Sequence, residues 1–157
     1  MLQADVLHMV KTLEMMAEFE LIISEFYQCA GDLWKEEHEF WTGLAQAEIS
    51  HAAYIRKMAR IVNKKPLEFE TGRPLTTAAI STAISGVRKN IERLKNGELT
   101  KKQTLFISRD IEDSILESKY TEIVKTKDME YQTLISEVAL QTETHKKLLI
   151  TKIHEAK

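Results

Sequence analysis

One cysteine, two prolines and five glycines are all that these 157 residues hold of the types that staple, break or free a chain. The single thiol, Cys29, permits no disulfide framework and no cysteine-built zinc or rubredoxin module. A reducing compartment is the expectation, with Cys29 as a small core residue. Charge of one sign is lacking too. The net charge is -2 and the pI about 6.2, with acids and bases interspersed, so there is no general attraction for nucleic acid. No apolar run approaches the ~20 residues that a membrane span requires. The opening MLQADVLHMVKTLE carries charges throughout and no apolar leader core. The chain is therefore expected to be soluble and cytoplasmic, with neither nucleic acid nor membrane as a partner. Sustained period-2 alternation is also missing, which points to an all-α protein. With 43% hydrophobic and 29% charged residues, the composition suits one domain over 1–157 with a full core.

What is present is helical spacing. Residues 2–30 place Leu2, Val6, Met9, Leu13, Met16, Glu20, Ile23, Tyr27 and Ala30 on one stripe, and Gly31 reads as the stop. Residues 38–63 do the same with Trp41, Leu44, Glu48, His51, Ile55, Met58 and Val62. A third helix is expected over 100–126, with Leu105, Ile111, Ile115, Leu116, Tyr120 and Ile123. A fourth is expected over 129–155, with Leu134, Ile135, Val138, Thr142, His145, Leu148, Leu149 and Ile153. Between the second and third lies a shorter amphipathic piece over 76–95, ended by Asn96 and Gly97. Pro66 and Pro74 bracket LEFETGR, which reads as an extended loop. Short connections on either side of a long one predict two antiparallel hairpins joined by a crossover that contains a short helix, a four-helix bundle.

Polar residues interrupt each long stripe at mid-length. They are Glu20 on the first helix, Glu48 and His51 on the second, and His145 on the fourth with Thr142 three residues before it. The third helix offers Glu112 or Asp113, one on each flank of its stripe, with Glu117 a turn further on; Glu112 has the better side-chain length, Asp113 the better spacing to Tyr120, and Glu112 is narrowly preferred. Burying such groups unpaired is costly. On a helix, residues i and i+3 are neighbours, so Glu-x-x-His can set a carboxylate oxygen and an imidazole nitrogen on one metal ion. Imidazole and bridging carboxylate suit iron, manganese or zinc. A weak internal echo pairs Glu48/His51 with Thr142/His145, and Tyr27, seven after Glu20, with Tyr120, seven after Asp113.

The run EFELIISEFYQCAGDLWKEEHEFWTGLAQAEISHAAYI resembles the first hairpin of the rubrerythrin-type branch of the ferritin-like superfamily. Glu20, Tyr27, Phe40, Trp41, Leu44, Ala45, Glu48 and His51 match that family's positions. IEDSILESKY and LQTETHKKLL resemble its third and fourth helices more loosely. The resemblance implies a ferritin-like four-helix bundle and a di-iron site, with two ions per chain held by Glu20, Glu48, His51, Glu112 and His145. It also implies peroxide or dioxygen as substrate, or iron handling, and a homodimer or larger homo-oligomer. Tyr27 and Tyr120 are the candidates for a hydrogen-bonding or redox role beside the ligands. Two departures stand out. Thr142 occupies a position where that family usually has a ligand glutamate, and the missing rubredoxin module means that electrons come from a separate donor. A non-catalytic helical scaffold or regulator with a decayed site is the alternative. His8, His38 and His154 are expected at the surface, and Trp34, Phe40 and Trp41 as a cap on one end of the core.

Overall fold

The apolar stripes become helices. The computed structural model of the chain describes residues 3–72, 75–114 and 120–156, with the backbone alone at 120 and 121. Helix α1 spans Gln3–Leu33 and buries Val6, Met9, Leu13, Met16, Ile23, Tyr27 and Ala30. It continues past Gly31, and the Trp34 N–H still reaches the Ala30 carbonyl at 3.0 Å. A 3-10 turn, Lys35–Glu37, then reverses the chain into α2, His38–Lys64. These two helices form the most extensive helix pair among the described residues. Trp41 is fully buried, with the rings of Phe40, Tyr27 and Trp34 at 5.2, 6.0 and 6.4 Å. His8, His38 and His154 are exposed, as expected.

The crossover contains more structure than a loop. After a second 3-10 turn, Pro66–Glu68, residues Phe69–Thr71 form strand β1. Helix α3, Thr77–Lys95, is capped by Thr76 and buries Ile80, Ile84, Val87, Ile91 and Leu94, packing along α1. Gly97, at φ +73°, ends this helical stretch in the left-handed conformation that favours glycine. Helix α4, Lys101–Glu112, opens on a capping box between Thr100 and Gln103.

The expectation of one helix over 100–126 is corrected here. Helix α4 stops at Glu112, because Asp113 takes the C-cap with its N–H bonded back to Arg109 and Ile111. Ile115, Leu116 and Glu117 lie outside the described residues, as do Leu2 and Pro74. A four-residue helix α5, Tyr120–Ile123, leads into strand β2, Val124–Thr126. The strands pair antiparallel, Phe69 with Thr126 and Thr71 with Val124, so the described residues are mostly helical with one small ribbon. In place of the expected short link, α5 and β2 precede the last helix. Helix α6, Met129–Glu155, is capped by Asp128 and packs on α4 and α2. Its Leu148, expected on the buried stripe, is 46% exposed. No described helix is long and apolar enough to cross a membrane.

The ribbon leaves no room at Gly72. Its N–H bonds to the Ile123 carbonyl at 2.9 Å, and an added Cβ would collide with the backbone of Glu122 and Ile123. Gly72→Ala is expected to lower stability by about 1–3 kcal/mol, read as a lower urea midpoint. An unchanged midpoint would mean that the ribbon shifts freely.

Candidate metal centre

Glu48 and His51 share the buried face of α2, one helical turn apart. His51 Nδ1 lies 3.1 Å from Glu48 Oε2. The other oxygen, Oε1, lies 3.2 Å from Nδ1 of His145 on α6. One carboxylate thus faces an imidazole nitrogen with each of its oxygens. His145 Nδ1 is also 3.6 Å from Oε1 of Glu112, at the end of α4. The two imidazole rings stack, with centroids 5.6 Å apart. Glu20, from the middle of α1, is fully buried beside Glu48 and His51.

These side chains make two groups that share Glu48: Glu20, Glu48 and His51, and Glu48, Glu112 and His145. Within each group the ligand atoms lie within 4.8 Å of one another, and each could hold a metal ion. All five residues expected as ligands therefore come together, from four helices. Between the two third-helix candidates, the structure brings in Glu112. Asp113 is exposed and pairs with Lys146 at 3.1 Å. Tyr27 donates its hydroxyl to Glu112 Oε1 at 2.7 Å, which puts it beside the candidate ligands. The side chain of Tyr120 lies outside the described residues. Thr142 is buried, but its hydroxyl turns back to the Val138 carbonyl at 2.9 Å. Glu143 is exposed and reaches Lys146 at 3.5 Å, so it does not take the place of Thr142.

Electrostatics favours a cation here. Glu20, Glu48 and Glu112 are buried carboxylates with little access to water, and a metal ion among them relieves both desolvation and mutual repulsion. In the metal-free chain a proton takes part of that role. Burial works against a charged His145, but hydrogen bonds and charge from Glu112 and Glu48 outweigh it and push its pKa up to about 10.

Sequence reasoning missed Gln141. Its Oε1 lies 2.7 Å from His51 Nε2, and its amide nitrogen donates to Glu137 Oε1 at 2.9 Å. The available signal was weak: Gln141 stands one turn before His145 on α6, just off the apolar stripe. A cleft of about 410 Å³ opens beside the centre between α2 and α6, lined by Ala47, Ser50, Tyr54, Gln141, Thr144 and His145 among others. Compared with known proteins, the chain matches no family model, no curated protein and no solved structure.

Proposed function

We propose that the chain is a dinuclear metal protein of the ferritin-like, rubrerythrin type, holding two iron ions and acting on peroxide or dioxygen, or handling iron. The observation that carries this reading is Glu48, whose two oxygens each face the Nδ1 of a different histidine. Glu20 and His51 would hold one ion, Glu112 and His145 the other, and Glu48 would be shared. Iron held there would supply redox chemistry toward peroxide or dioxygen. The chain's own residues do the rest. Burial keeps water from all but the His145 side, Tyr27 holds the Glu112 carboxylate through its hydroxyl, and the donor of further electrons would be a separate molecule. Manganese or zinc fits the same donor set.

Anaerobic ferrous titration tests the proposal. About two ions should bind per chain, and one peroxide should be consumed for each ferrous pair oxidised. Retention of no metal under any of these conditions would sink it.

A second reading has its own support. His51, Glu48, His145, Glu112 and Tyr27 already satisfy one another through hydrogen bonds and close ion pairs, which a non-catalytic scaffold or regulator also needs. On that reading ferrous or manganous ion leaves the melting temperature unchanged.

A further inference from the structure

The two halves of the centre are not equivalent. On the first, His51 is locked from behind. A carboxylate only accepts hydrogen bonds, so the Gln141 amide nitrogen must face Glu137 and the amide oxygen must face His51. An amide oxygen in turn only accepts, so His51 Nε2 carries the proton. A metal that took the place of the Nδ1 contact with Glu48 would therefore meet the Nδ1 lone pair, the tautomer that a metal needs. The buried end of the relay is closed as well, since His51 is 0% exposed.

The second half lacks each of these features. Among the described residues both polar contacts of His145 are on Nδ1, and its ring, stacked on His51, lines the cleft between α2 and α6. Three residues before it, α6 supplies Thr142, where α2 supplies Glu48 three residues before His51. The Thr142 hydroxyl is committed to its own helix backbone. Each half counts two carboxylates and one imidazole, but the second draws only its histidine from α6, and among the described residues no side chain bonds to the far nitrogen of that ring. The cleft gives this same side a path to solvent through the small side chains of Ala47, Ser50 and Thr144.

We propose that Gln141 is a positioning residue that makes the Glu20–Glu48–His51 half the tight metal position, and that the Glu48–Glu112–His145 half is the weaker, exchangeable position that small ligands reach from the cleft. This rests on the dinuclear reading above. Second-sphere partners of ligating histidines are worth about 10–100-fold in metal affinity, so the asymmetry should be measurable.

The test is a cobalt(II) titration of the full, metal-free chain, followed by its visible absorption. Two resolved binding steps are expected. Gln141→Leu should weaken the tighter step by about 10–100-fold and leave the weaker step in place. Gln141→Glu keeps an acceptor toward His51 and should retain the tight step. Thr142→Glu should tighten the weaker step alone. Azide, as a small anionic probe, should alter the spectrum only after the second equivalent of cobalt. In the zinc-loaded chain one imidazole N–H proton should exchange slowly with water, be lost in Gln141→Leu and persist in Gln141→Glu. Two indistinguishable steps, or a Gln141→Leu variant that weakens only the looser step, would overturn the inference while leaving the dinuclear reading intact. Absence of any cobalt binding would instead remove the reading on which it rests.

Discussion

Glu48→Ala should lose both metal ions, not one. Its carboxylate belongs to both ligand groups, and each oxygen already faces a different imidazole. Glu20→Ala, by contrast, removes a donor from one group only and should spare the other ion. The difference also shows in stability. A metal present at 100 times its Kd raises folding stability by about 2.7 kcal/mol, and Glu48→Ala should lose that gain entirely. The metal-free variant should be weakened as well. His51 and His145 each lose a buried partner, at about 1–3 kcal/mol for each group left unsatisfied. Metal analysis together with thermal melts, with and without ferrous ion, reads both effects. Glu48→Ala chains that still carry two ions would refute the shared role of this residue.

The metal-free chain should lose stability as the pH rises from 6.5 toward 10. His145 has its pKa raised to about 10 in the folded state, against 6.5 when unperturbed. Over that window the folded chain keeps a proton that the unfolded chain releases. The stabilisation is complete below about 6.5 and gone once the pH has passed the folded value. Its size is on the order of a few kcal/mol. Metal affinity at the same half should move the opposite way, because a cation must displace that proton. Urea denaturation in chelator across this range, compared with His145→Gln, isolates the effect. Equal pH slopes for the two proteins would refute it.

Much of this arrangement is legible in the sequence because long helices with one apolar face have little choice. Glu20, Glu48, His51 and His145 stand on stripes whose neighbours must be buried, so their meeting follows from packing the stripes together. The third helix was harder to read. Ile111, Ile115 and Leu116 continue its apolar spacing, but Asp113 and Ser114 favour local hydrogen bonds over helix continuation. Asp113 at the C-cap also decides the choice with Glu112, since the last helical residue stays on the buried face while the cap turns outward. The ribbon escaped notice because three residues are too few for alternation to show. Gln141 escaped because its role depends on where α2 crosses α6, which no local pattern encodes. No pattern selects one metal for these donors, because carboxylate and imidazole together could hold several.

The ribbon lies beside another contact at the same end of the molecule. Lys65, just past α2, binds Asp128, just before α6, at 2.8 Å, and Thr126 bonds to the Glu68 carbonyl at 2.8 Å. The end of α2 is thus pinned to the beginning of α6. From this pin, His51 lies about 20 Å along one helix and His145 about 24 Å along the other, at ~1.5 Å per residue. Ribbon and ion pair thus fix where the two helices begin to run side by side, and the packing of their apolar faces carries that register along to the imidazoles.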